Sequence, residues 1–283
     1  MTFEISAVLG SAMPTIKVVA VGAMDLGSPE IYTPLLEKGI AEVIGFEANA
    51  RECEKLNRAA LLSDGARQTK RRYLPYAVGD GSRRTFHITN TGYTSSLFPP
   101  NIKLLSEFHG LAELCQVVEV QEVDTVRLDD VKEIEDADWL VLDAQGAEVD
   151  ILRGATQLLK KVVVVQTEVL YIPHYEGQPL FGDVDVELRK HGFLINGITH
   201  FSCPPMKALP AQPYRPQLGW SDFIYVRNFM NLRELEDRKR LALAVILHEI
   251  YGSHDLCAHV LKEHDAVTSS GFYGRYLAKF MGS

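Results

Sequence analysis

The chain has 283 residues, and its 29 Lys and Arg against 37 Asp and Glu give a formal charge of −8, a balance that argues against a protein built to neutralise nucleic-acid phosphates. Hydrophobic residues make up 46%, enough for a sizeable buried core and against a disordered chain. The four cysteines, Cys53, Cys115, Cys203 and Cys257, form no C-x-x-C pair, and no apolar run approaches the ~20 residues of a membrane span. Disulfide framework, zinc knuckle and membrane span are therefore set aside. The N-terminus lacks the layout of a signal peptide, so a soluble protein of the reducing cytoplasm is expected.

From Ile16 onward short β-branched runs alternate with helical stretches. The strand IKVVAV leads to a helix near Pro29 to Lys38, the strand EVIGFE to a helix from Arg51 to Leu61, and the strand RYLPYAV follows. That rhythm predicts a doubly wound, mostly parallel α/β sheet with crossover helices. The basic run Lys70, Arg71 and Arg72 reads as the solvated start of a strand rather than a phosphate patch. Further strands are expected at RTFHIT, QVVEVQEV, WLVLD, VVVVQTEV, GFLINGI and DFIYVR, with a helix over Val184 to Lys190. Apolar runs without alternation, such as VVVVQ, suit central strands covered on both faces. After Arg227 strand patterns stop and amphipathic helical patterns take over. Residues 231–283 are thus expected as a C-terminal helical extension of a 1–230 domain, with Leu232, Leu235, Leu243 and Leu247 facing the core or a second copy in a homodimer.

Chemistry is expected where strands end. The first strand runs into VGAMDLG, where small residues admit a ligand close to the backbone, but Gly22 and Gly27 do not make the G-x-G-x-x-G of a dinucleotide site. Glu47 stands at the tip of the second strand, roughly 20 residues after that turn, a spacing suited to accepting both hydrogens of a ribose diol. Asp80, in YAVGD, is placed either to accept an adenine amino group or to serve an ordinary Gly-Asp-Gly turn, with Ala77 and Val78 near the ring. In LVLDAQGAEVDILRGA a buried strand delivers Asp143, followed by Gln145 and by Glu148 at a helix start, and the next strand delivers Glu168. Capping accounts for Glu148; it does not account for two strand-end carboxylates side by side.

Four ordered segments, TSSLF, VDTVRLDD, LVLDAQGAEVDILRGA and TEVLYIPHYEGQPLFGDVDVELRKHGF, together resemble the FkbM-type family of methyltransferases, and the likeness covers most of Val18 to Arg227. The resemblance implies a Rossmann-like class I methyltransferase fold, S-adenosylmethionine (SAM) as methyl donor, and O-methylation of a sugar, glycan or natural-product hydroxyl. It implies an adenosyl site at Gly22, Ala23, Glu47 and Asp80, with Ser95 and Ser96 in the loop that follows and Asp143 nearest the sulfonium. In the first turn the family has Val-Asp-x-Gly-Ala-Asn-x-Gly, whereas this chain has Val19, Ala20, Val21, Gly22, Ala23, Met24, Asp25 and Leu26, with Gly27 one place late. Asp25 is then the polar partner for the methionyl amine.

Activating a hydroxyl takes a base within reach or a metal. Asp143 and Glu168 are candidates for base or for hard-cation ligands; no His-rich spacing accompanies them, and a metal-free site is expected. His174, in YIPHYEGQPLF, is the histidine best placed to act as base; Tyr171 and Tyr175 in the same loop are placed either to stack on a sugar face or, as aromatic residues more often do, to pack the loop down, and Trp220 either to contact substrate or to anchor a second wall. A small-molecule or glycan acceptor, rather than nucleic acid, is the expected partner. The competing reading is a non-catalytic protein that keeps the fold for binding or assembly, motivated by the altered first turn.

Overall fold

The computed structural model describes residues 3–23, 29–64, 70–210 and 217–282. Nine strands are found among them: β1 (Ile16–Val21), β2 (Ala41–Phe46), β3 (Lys70–Leu74), β4 (Arg83–Thr89), β5 (Val117–Asp124), β6 (Trp139–Leu142), β7 (Val164–Leu170), β8 (Phe193–Ser202) and β9 (Trp220–Arg227). Seven form one sheet in the order β3-β2-β1-β6-β7-β9-β8. β1 is parallel to β2 and β6, β2 to β3, and β6 to β7, while β9 lies antiparallel between β7 and β8. The order reverses at β1 and β6, so their carboxyl ends open the crevice where ligands of doubly wound sheets bind. This is the class I methyltransferase arrangement, as expected.

The apolar runs are explained by burial on both faces. Val18 and Ala20 of β1 join Trp139, Val164, Ile224 and Val226 in one core, while Val19 and Val21 join Leu140, Leu142, Val165 and Val169 in the other. Period-two alternation sends neighbours to opposite faces, and both faces are covered. The strands RTFHIT and QVVEVQEV lie outside this sheet: β4 and β5 form a separate antiparallel pair, with nearly all of β5 exposed.

The tail departs from an amphipathic pattern. In the helix Asp237–Glu249 every residue from Lys239 to His248 is buried, as befits a helix covered all round. Its inner side packs on the sheet, and the helix His254–Thr268 contributes Cys257, Val260 and Leu261 to the same core. Leu232, Leu243 and Leu247 are buried there, so this stripe faces the chain's own core. The charges at the head of the helix are paired: Lys239 Nζ donates to Asp138 Oδ1 at 2.8 Å and to the Ala137 carbonyl at 2.8 Å, and Asp138 also accepts from Arg238 and from the Lys17 amide. Among the described residues no helix is long and apolar enough to cross a membrane.

Candidate functional site

The chamber at the switch point begins with Gly22. Its φ of +81° ends β1, its amide and that of Ala23 both donate to the Phe46 carbonyl at 3.1 Å, and a Cβ built on it would stand 1.8 Å from the Asp143 carbonyl oxygen. Only glycine lets the β1 and β6 ends come this close. Glu47 lines the same chamber at 5% exposure, with Oε1 accepting the Asn49 amide at 2.7 Å. Burial pushes its carboxyl up to about 7, against the stabilising Asn49 bond. Ala77, Val78 and Leu97 supply an apolar slot, and Ser95 and Ser96 stand beside it. Ser95 Oγ accepts the Thr89 amide at 3.1 Å, and Ser96 Oγ donates to the Gln145 carbonyl at 2.6 Å, tying the TSSLF loop to the end of β6. A buried acid at the second strand tip, a glycine-only approach and an apolar slot fit an adenosyl group.

One expected position differs. Asp80 is exposed and turned away from the chamber, because its Oδ1 accepts both the Ser82 amide at 2.9 Å and the Ser82 hydroxyl at 2.5 Å. These bonds hold its carboxyl below the usual range. Turn chemistry therefore claims Asp80, and the adenine contact assigned to it is withdrawn. Asp25 lies outside the described residues.

The carboxylates do meet. Gln145 takes the left-handed conformation, φ +51°, a strained choice for a residue with a side chain, and from there its amide spans two acids. Nε2 donates to Asp143 Oδ1 at 2.6 Å and to Glu168 Oε2 at 3.1 Å. Its Oε1 faces the Tyr175 hydroxyl at 2.7 Å, whose single proton is shared with the Thr94 carbonyl at 3.0 Å. Both amide hydrogens are thus directed at carboxylates, in the place a bridging cation would occupy. Among the described residues no group of three or more His, Cys, Asp or Glu is arranged to hold a metal. Burial, opposed by the Gln145 bond and reinforced by Asp222, takes Asp143 up to about 6. Burial and the neighbouring Asp143 push Glu168 well above the usual carboxylate range. Glu148, 2% exposed, accepts the Ala144 amide at 2.9 Å and the Gly146 amide at 3.3 Å, so it braces the turn carrying Gln145.

Asp222 was missed in the sequence. It pairs in register with Glu168 across the antiparallel β7–β9 ladder, so the two side chains share a face, and burial raises its carboxyl too. An acid opening an otherwise apolar strand was the available signal.

A second chamber adjoins the first. Tyr93, Asp143 and Gln145 line both, and beyond them the second is walled by Glu168, Leu170, His174, Tyr175 and Trp220. His174 is 8% exposed, its ring lies edge-on to Trp220 with centroids 5.4 Å apart, and burial lowers its imidazole to about 4. Tyr175 is buried, lines the second chamber and also anchors Gln145.

Comparison with solved structures returns methyltransferases. Magnesium protoporphyrin IX methyltransferase from Synechocystis PCC 6803, solved with bound SAM, is 11% identical and aligns over 79% of this chain and 76% of its own, with TM-score 0.38. An FkbM methyltransferase from Methylobacillus flagellatus KT is 14% identical over 78% of this chain and 48% of its own, with TM-score 0.39. Precorrin-6y methyltransferase from Geobacter metallireducens GS-15 is 11% identical over 79% and 88%, with TM-score 0.37. No curated protein matches in sequence. The model of the methyltransferase FkbM domain matches residues 21–195, well over half of the 283, and the chain belongs to this family of SAM-dependent methyltransferases.

Proposed function

We propose that this protein is a SAM-dependent O-methyltransferase acting on a hydroxyl of a small-molecule acceptor, a sugar or glycan or a natural product, seated in the second chamber. The observation that carries the reading is the position of Asp143 and Gln145 on the wall shared by both chambers, with Glu168 tied to Asp143 through the Gln145 amide.

Gly22, Ala23 and Glu47 would hold the cofactor, with Ser95 and Ser96 closing the slot, and Asp25 is assigned the methionyl amine. When bound, SAM supplies an electrophilic methyl group at the shared wall. The protein's part is to hold the acceptor hydroxyl in line and accept its proton. Asp143, at about 6, is a stronger base than an ordinary carboxylate and still ionised at neutral pH. Glu168, whose carboxyl burial and the neighbouring Asp143 push well above the usual carboxylate range, serves as a hydrogen-bond partner for the hydroxyl. His174, whose Nε2 bonds to neither acid, is the secondary candidate for base.

The same proposal divides the chain into a methyltransferase domain, 1–230, and a helical extension, 231–283, which share one core. It places the protein in a reducing cytoplasm, with all four cysteines unpaired. A homodimer would have to use a surface other than the buried leucine stripe. Incubation with methyl-labelled SAM and a panel of hydroxylated acceptors tests the function: label should enter an acceptor in step with S-adenosylhomocysteine (SAH) formation, and label appearing on amine or carbon acceptors alone would overturn O-methylation.

A further inference from the structure

We propose that Gln145 is a positioning residue for methyl transfer: its side-chain amide spans Asp143 and Glu168 and settles that Asp143, not Glu168, receives the proton of the acceptor hydroxyl. This role rests on the methyltransferase reading of the two chambers.

Among the described residues only Gln145 and Ser269 enter the left-handed region without being glycine. Ser269 caps the end of the helix His254–Thr268, an ordinary place for that conformation. Gln145 ends no helix; it stands between Ala144 and Gly146 in the turn after β6. Glu148 accepts the amides on either side of it, and Ser96 Oγ donates to its own carbonyl at 2.6 Å. Glycine would take this φ at no cost and asparagine at little. A glutamine held there from three sides, against its preference, is strain of the kind kept for what the side chain does.

Two neighbouring carboxyls resist carrying two negative charges, so one ionises before the other. The donor between them decides the order. Gln145 Nε2 has two hydrogens, and the shorter bond, 2.6 Å, goes to Asp143, against 3.1 Å to Glu168. A hydrogen bond to a carboxylate favours its charged form, so the charge settles on Asp143. Burial raises the Asp143 carboxyl and the Gln145 bond limits the rise, to about 6; at Glu168 burial and Asp143 outweigh the longer bond. A lysine in the same place would span both acids, but its own charge would leave neither as a base near neutrality. Tyr175 fixes which end of the amide faces the acids: its hydroxyl meets Gln145 Oε1 at 2.7 Å, and the amide reversed would set that oxygen against two carboxyls. The other titratable groups near the bridge are Glu148 on the helix after β6, Asp222 on β9 with His200 of β8 paired to it, and His174 beside Tyr175. Tyr93 and Cys115 line the second chamber opposite, and no lysine or arginine lines either chamber among the described residues. As the acceptor oxygen bonds the methyl carbon and the carbon–sulfur pair stays with sulfur, the hydroxyl proton passes to Asp143, and Gln145 keeps both of its own.

The test is carbon-13 NMR of the full chain labelled at the aspartate and glutamate carboxyls and titrated from about pH 4.5 to 9. Asp143→Asn and Glu168→Gln identify the two signals by their loss. Native Asp143 should titrate at about 6 and ionise before Glu168. In Gln145→Met and Gln145→Asn the bridge is lost, and Asp143 should titrate about one pH unit higher or more. Asparagine enters the left-handed region readily, so it keeps the turn should methionine fail to fold there, and its amide is one methylene too short for the span. On the acceptor that takes methyl label most readily, the acidic limb of turnover should move up with Asp143 and activity should return as the pH is raised, a rescue that damage to the fold would not give. An Asp143 titration within about 0.3 pH units of native in both variants, a native Glu168 that ionises first, or an acidic limb that stays in place while Asp143 moves would overturn the proposal. Absent SAH binding by the native protein would instead count against the cofactor reading, with the carboxyl titrations still reporting on the bridge.

Discussion

Replacing Glu47 tests the cofactor chamber where charge, burial and geometry coincide. The carboxylate is 5% exposed and spends one oxygen on the Asn49 amide, yet among the described residues no cation answers its charge, and burial carries it from 4.5 to about 7. A ribose diol would give it two charge-assisted bonds, each contributing ~1.5–3 kcal/mol, so Glu47→Ala should weaken SAH binding by at least ~3 kcal/mol, on the order of a hundred-fold. Only the ionised form accepts both hydroxyls. Native affinity should therefore rise with pH through about 7 and level off above, falling by up to ~ten-fold per unit below. Stability has the opposite sign. A carboxyl raised in the folded state contributes stability that is fully present below about 4.5 and is lost as pH rises through about 7, a span worth roughly 3 kcal/mol, and Glu47→Gln should remove that slope. Calorimetric titration with SAH from pH 5.5 to 8.5, paired with urea melts, reads both. Alanine-variant affinity within two-fold of native at pH 8, or a pH dependence that persists in Glu47→Gln, would refute the ribose assignment.

Three further outcomes follow from the structure. Gly22→Ala forces a Cβ to within 1.8 Å of the Asp143 carbonyl at a positive φ, and it should abolish SAH binding and lower the melting temperature; native-like affinity would show that the β1–β6 approach is dispensable. Asp143→Asn should cut turnover by at least ~10²-fold while changing SAH affinity far less, and equal losses in both would assign Asp143 to structure instead of proton transfer. Leu243→Ala, in the fully buried centre of the Asp237–Glu249 helix, should destabilise the whole chain by ~2–5 kcal/mol in a single urea transition, whereas a separate early transition would mean that the tail unfolds on its own.

Much of the fold was legible because the parallel strands bury both faces and so read as apolar runs: IKVVAV became β1 residue for residue. Glu47, Asp143 and Glu168 were legible for a related reason, since an acid at the end of such a run has only the sheet edge to occupy. Asp222 escaped because its partner, Glu168, is brought beside it by β9 running antiparallel, a pairing that strand pattern alone does not specify. The Gln145 bridge escaped because it depends on a left-handed backbone at a non-glycine residue, which no propensity predicts. Asp80 was misleading in a different way: Asp two residues before Ser satisfies itself locally, and that local bond won over the ligand role. The tail's leucines were read as one stripe, but the second layer of helices covers the far side as well, leaving His248 and Arg240 buried among apolar neighbours.

The most direct measurement of the central claim is calorimetric titration of the native protein with SAH at pH 8. One site per chain with micromolar affinity is the predicted result. No detectable heat at any attainable concentration would contradict it, and would mean that a chain carrying the methyltransferase fold and the Asp143–Gln145–Glu168 bridge does not bind the cofactor at its switch point.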